Sequence, residues 1–143
     1  AYAAQKLNCH ILYHNRTPSK ARELADTFGG TVLKSLEEDK WPKTKSTTLT
    51  AVISTLPAAA EFTLPKFLLK ENNAGMVVFD VNYKPYSTPL LRQAESNNRR
   101  VVRGSEMLWT QGVKQFEIWL ERNAPYGIMK NVVLENCLPK KEQ

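Results

Sequence analysis

At 143 residues, 42% hydrophobic and 24% charged, the chain has the size of one compact domain spanning residues 1–143 and is short for two. Twenty Lys and Arg against fourteen Asp and Glu leave a net charge of +6, a field that favours anionic ligands, but the basic residues fall into short groups (Lys40/Lys43/Lys45, Arg99/Arg100/Arg103, Lys140/Lys141) that read as solvated surface and not as a nucleic-acid footprint. No apolar run approaches the roughly twenty residues of a membrane-spanning helix, and Cys9 and Cys137, at opposite ends without a CxxC or Cys/His grouping, argue against a disulfide framework and a zinc site and fit a reducing, cytoplasmic setting.

Residues 1–7 carry Ala3, Ala4 and Leu7 at helical spacing and read as the tail of a helix stopped near Asn8. With no initiating Met and no secretory pattern, the chain is expected to be N-terminally truncated. Residues 9–14 are a largely apolar run of strand length, and Thr17-Pro18 supplies an N-cap and a first helical residue. Ala21, Leu24, Ala25 and Phe28 then form one apolar stripe, which Gly29-Gly30 ends. The rhythm repeats with a short strand at 31–33, a polar loop carrying Trp41-Pro42, strands at 49–54 and 75–81, and helical patterns at 65–70 and 89–96. Strands alternating with helices predict a Rossmann-like α/β fold, a parallel sheet with helices on both faces. Two C-terminal helices follow. The first, over 105–121, has Leu108, Phe116, Trp119 and Leu120 on its expected apolar face; the second, after Ala124-Pro125, carries Ile128, Met129, Val132 and Val133.

Ligands of open α/β sheets bind beyond the C-terminal ends of the strands. Asn15, Arg16 and Thr17 stand at such an end, where a dinucleotide-binding unit places either an acid on the ribose 2′-OH or an Arg on a 2′-phosphate. No acid is present, and Lys20, one turn into the helix, adds a second positive charge beside a helix N-terminus. That pattern points to NADP rather than NAD, and it also fits an ordinary capped helix start with an exposed Arg. His10 and His14 share strand parity but lie about 13 Å apart, too far to hold one metal ion. Tyr83-Lys84-Pro85 and Thr88-Pro89 follow another strand end and fit a ligand loop and a connector equally. Gln111 lies close to the apolar stripe of its helix, where its amide needs partners that a ligand or a backbone group can supply.

Four segments taken together resemble the C-terminal half of shikimate dehydrogenases: Asn15-Arg16-Thr17-Pro18-Ser19-Lys20-Ala21, Asp80-Val81-Asn82-Tyr83-Lys84-Pro85, Thr88-Pro89-Leu90-Leu91, and the run from Gly104 through Met107, Gln111 and Gly112 to Gln115-Phe116-Glu117-Ile118-Trp119. The likeness covers nearly the whole chain. It implies that Asn15, Arg16, Thr17 and Lys20 surround the 2′-phosphate of NADP and that Ser54, Thr55 and Leu56 form a turn beside the cofactor, a looser match because Pro57 follows and an Asn is missing. It further implies that Tyr83 lies near nicotinamide and substrate, that Gly104 lines the cleft, that Met107 contacts nicotinamide and that Gln111 hydrogen-bonds the hydroxy acid. The family's catalytic Lys and Asp belong to an N-terminal domain, and neither that domain nor the Gly-rich phosphate loop is in this sequence. The chain alone is therefore expected to be catalytically silent.

Lys40-Trp41-Pro42, the stretch 53–58, Tyr83-Lys84-Pro85 and Ala124-Pro125 with Ile128-Met129 are similar to the dehydrogenase-like portion of fungal multidomain proteins, the pentafunctional arom polypeptide and the quinate repressor group. Two readings follow from the resemblance. In one, the chain is the cofactor-binding part of an NADP-dependent shikimate or quinate dehydrogenase, working with the N-terminal domain of its parent protein. In the other, it is a non-catalytic, nuclear regulatory module that senses pathway metabolites or binds an activator protein. Fold does not separate them.

Overall fold

The computed structural model describes residues 1–42, 48–70 and 73–139, so Lys43, Lys45, Lys140 and Lys141 of the basic groups lie outside the described residues. The chain forms two compact units, Ala1–Thr47 and Thr48–Gln143.

The smaller unit runs α1 (Tyr2–Lys6), β1 (Leu12–Tyr13), α2 (Pro18–Phe28) and β2 (Thr31–Val32). The strands are parallel, with Leu12 opposite Thr31 and Tyr13 opposite Val32. Only two residues of the apolar run at 9–14 join a ladder, so the strand is shorter than its composition suggests. Pro18 opens α2 as expected, while the apolar stripe is narrower: Ala21 is buried, Ala25 and Phe28 are half-buried, and Leu24 is exposed. Gly29 and Gly30 have φ of 73° and 111°, a region that costs a side chain free energy. At Gly30 a Cβ would also lie 2.4 Å from the Ile11 carbonyl oxygen, so glycine is what lets the chain enter β2 beside β1. His10 Nε2 meets the Thr31 hydroxyl at 3.3 Å, and no metal-holding group of side chains occurs among the described residues.

The larger unit contains β3 (Ala51–Ser54), β4 (Val77–Asp80), α3 (Pro89–Ser96), β5 (Arg100–Arg103), α4 (Gly104–Leu120) and α5 (Tyr126–Cys137). Its three strands lie in the order β3-β4-β5, all parallel. The α/β class with parallel strands is thus the observed one, with the strands shared between two sheets. Met76, Val78, Leu90, Leu91 and Ala94 form the core. Pro89 pre-sets the first turn of α3. Its N-cap Thr88 accepts a long hydrogen bond from the Leu91 amide, 3.4 Å. Two buried or half-buried amides staple loops to this core. Asn73 accepts from the Leu49 amide and donates to the Leu68 carbonyl, and Gln93 both accepts from and donates to the Leu64 backbone.

Two expectations change. The Arg99/Arg100/Arg103 group belongs to a strand and its approach; Arg100 is exposed, as a solvated surface would have it, but Arg99 and Arg103 are half-buried and bonded. Arg99 donates to the carbonyls of Leu69, Lys70 and Ala74, and Arg103 pairs with Glu95 and lies over the Tyr86 ring at 5.0 Å. Second, α4 turns Ser105, Trp109 and Val113 inward, whereas Trp119 is 74% and Leu120 50% exposed. The face is set by α5: the Trp109 indole donates to the Tyr126 hydroxyl, Lys130 lies over the Trp109 ring, and a Cβ at Gly112 would touch Met129. On α5, Met129 and Val133 are half-buried and Cys137 is buried, while Ile128 and Val132 are exposed. No helix among the described residues is long and apolar enough to cross a membrane. Leu91→Ala, at a fully buried position, should cost about 2–5 kcal/mol, read as a lower urea midpoint at unchanged slope.

Candidate functional site

In the smaller unit, the chain leaves β1 and turns into α2 through Asn15, Arg16 and Thr17. The Asn15 side-chain oxygen accepts the Thr17 amide at 2.8 Å, fixing the turn locally. Thr17 takes the N-cap position with extended backbone, but its hydroxyl makes no capping bond. The first turn of α2 contains no acidic residue. Asn15, Arg16, Thr17 and Lys20 are all exposed, and among the described residues neither Arg16 nor Lys20 is in an ion pair. The result is a helix N-terminus, positive by its own dipole, flanked by two free cationic side chains. Such a cradle fits a phosphate monoester.

In the larger unit, the remaining candidate residues come from three segments that converge at the C-terminal ends of β3 and β4. Ser54, buried, is paired in register with Asp80, also buried. Asp80 is the centre of the local network. Its Oδ2 accepts the Thr88 hydroxyl at 2.8 Å; its Oδ1 accepts the Asn82 amide at 3.1 Å and the Asn82 side-chain Nδ2 at 2.6 Å. The same Nδ2 lies 2.8 Å from the Leu56 carbonyl oxygen, to which it also donates. A buried carboxylate so supplied with donors is tolerated where a bare one would not be. Thr88 stands at the N-cap of α3, where negative charge is favoured by the helix dipole.

The third segment is the start of α4. A Cβ at Gly104 would lie 2.2 Å from the Val81 carbonyl oxygen and 2.4 Å from that of Asn82, so the helix begins in direct backbone contact with the loop that carries Tyr83. Met107 and Gln111, three and seven residues on, follow Gly104 along one helical face. Met107 is half-buried; Gln111 is exposed, so its amide has solvent and does not require a buried partner. Tyr83 (43%), Leu56 (37%) and Thr55 are exposed. The crevice between Ser54, Leu56, Asp80, Asn82 and Thr88 has a volume of about 10 Å³, room for one water and for no organic ligand, so any ligand contact is made on its rim.

Sequence reading passed over Asp80, Asn82 and Thr88 as individual functional groups, though an acid at a strand end followed by Asn two residues on and Thr before a helix-starting Pro was a readable signal. Among the described residues, two carboxyl groups on exposed or half-buried ion pairs are held below their ordinary range. Glu37 is lowered by the hydrogen bond and charge of Lys40, an exposed pair, and Glu117, half-buried, mainly by its hydrogen bond with exposed Lys114.

Residues 104–134 match the family described as shikimate 5′-dehydrogenase C-terminal domain. The chain is 35% identical to the quinate repressor protein of Emericella nidulans over 88% of its own length and 16% of that protein. It is 33% identical to the NADP-dependent shikimate dehydrogenase of Methanocella arvoryzae, over 90% of the chain and 48% of the relative. Among solved structures, shikimate dehydrogenase from Aquifex aeolicus superposes with a TM-score of 0.71 and 30% identity, covering 92% of this chain and 47% of that one. The chain therefore spans at most about half the length of these relatives. Gly104→Ala should lower the melting temperature, at a cost of about 1–3 kcal/mol, because the added methyl meets backbone oxygens that no rotamer change can move.

Proposed function

Since the chain belongs to the shikimate/quinate dehydrogenase family through its C-terminal domain, we propose that residues 1–143 act as a single functional module, the NADP-binding part of a cytoplasmic dehydrogenase that interconverts shikimate, or quinate, and its dehydro form. The observation that carries this reading is the start of α2: an acid-free first turn with Arg16 and Lys20 exposed and unpaired among the described residues. Asn15 holds the turn, Arg16 offers its guanidinium in two-pronged contact to the 2′-phosphate, Thr17 presents the helix end, and Lys20 adds charge one turn along. Ser54, Thr55 and Leu56 flank the cofactor. Tyr83 and Gln111 face the hydroxy acid, and Met107 rests against the nicotinamide. NADP, when bound, supplies the hydride acceptor, and the chain's own residues bind and orient. Proton transfer belongs to a Lys and an Asp outside this sequence, and the chain by itself turns over no substrate.

The 35% identity to a quinate repressor supports a second reading, in which the same residues serve a nuclear, metabolite-sensing module that contacts an activator protein without turnover. Both readings use the same cofactor and acid contacts, and neither requires contact with nucleic acid or a membrane. Arg16→Ala tests the contact they share: calorimetric titration should show NADP⁺ affinity falling about tenfold to a hundredfold with NAD⁺ affinity unchanged, as expected for loss of a charged hydrogen bond. Equal losses for the two nucleotides, or no binding of NADP⁺ by the unaltered chain, overturn the assignment.

A further inference from the structure

Asn82 stands where three segments meet. Its side-chain amide bridges the Asp80 carboxylate and the Leu56 carbonyl, its backbone amide is bonded to Asp80, and its own carbonyl abuts Gly104. Each of those segments carries a different ligand contact of the proposed site: Leu56 on the turn after β3, Tyr83 immediately beyond Asn82, and Met107 and Gln111 along α4. Resting on that reading of the site, we propose that Asn82 is a positioning residue for both cofactor and acid, setting the spacing between the turn at 54–56 and Tyr83 without touching either ligand.

The chemistry explains why this side chain suits the position. A primary amide has two N–H donors on one nitrogen, and here they serve two acceptors on different segments, a carboxylate at 2.6 Å and a carbonyl at 2.8 Å. A hydroxyl has one donor and cannot hold both. An acid would set a second negative charge against Asp80, and a longer amide would push the two loops apart. Asp80 in turn is anchored by Thr88 at the start of α3, so the brace is referred to the buried core through Leu90 and Leu91. The turn at 54–56 has no other side-chain bond to the loop after β4 among the described residues. The Val81 amide still donates to the Ser54 carbonyl at 3.1 Å and fixes the strand ends, so truncating Asn82 releases the spacing at Leu56 while leaving that bond, the Asp80–Thr88 bond and the core in place.

The test uses the full 143-residue chain and three ligands: NADP⁺, shikimate, and adenosine 2′,5′-bisphosphate, which reaches only the contacts of Arg16 and Lys20. In Asn82→Ala, affinity for NADP⁺ and for shikimate should fall about tenfold, the loss of a hydrogen-bonded brace, while affinity for the bisphosphate stays at the unaltered value and the Leu56 carbonyl and Tyr83 amide resonances both move. Equal affinities for NADP⁺ and shikimate in variant and unaltered chain overturn the proposal, as does a parallel loss for the bisphosphate, which marks general unfolding. An unaltered chain that binds none of the three overturns the proposed function itself, a result distinct from both. Should Asn82→Ala fail to fold, Asn82→Ser, with one donor of shorter reach, carries the same comparison.

Discussion

The approach of α4 to the backbone at residues 81 and 82 is the constraint on which the larger unit depends. A helix can start within van der Waals reach of two carbonyl oxygens only where its first residue has no Cβ, and Gly104 meets that condition. The contact links the end of β5, the loop after β4 and the first turn of α4 in one place. Because β3, β4 and β5 are parallel, their C-terminal ends open on the same side of the sheet, and the loops that leave them are neighbours by construction.

Burial of Asp80 is the electrostatic counterpart of that steric constraint. A carboxylate removed from water is costly unless donors replace its hydration, and here Thr88, the Asn82 amide and the Asn82 side chain do so. The network ties the loop after β4 to the N-cap of α3 on one side and to the turn after β3 on the other. Rigidity where the loops leave the sheet, with exposed side chains at their tips, is the arrangement that a binding surface on a sheet edge needs. The smaller unit solves a different problem with fewer parts: a two-residue parallel ladder, two glycines at positive φ and an Asn-fixed turn present a cationic helix start.

Legibility in the sequence followed the range of the interactions involved. The starts of α2 and α3 were readable to the residue because Thr17-Pro18 and Thr88-Pro89 act through local backbone geometry. β5 was missed because Arg99, Arg100 and Arg103 mask a two-valine strand; Arg100 stays exposed, while the charges of Arg99 and Arg103 are met by backbone carbonyls, by Glu95 and by the Tyr86 ring, none of them an immediate chain neighbour. The inward face of α4 was misread at its C-terminal end for a related reason. Periodicity shows that an apolar stripe exists, but which residues it buries is decided by what packs on it: α5 meets Trp109 and Gly112, Val113 is buried, and Trp119 and Leu120 are left exposed.

The amino-acid sequence by itself determined the alternation of strands and helices, the proline-started and glycine-ended turns, and the acid-free, cationic start of α2, since each is set by residues a few positions apart. Family resemblance was carried by short motifs of the same kind. Only the tertiary structure decided that Asp80 is buried and fully supplied with donors, that Asn82 spans two loops, and that Gly104 is pressed against the chain at 81 and 82. Those are contacts between segments distant along the chain, whose free energy depends on burial and on distances of a few tenths of an ångström, and neither quantity is written in residue order.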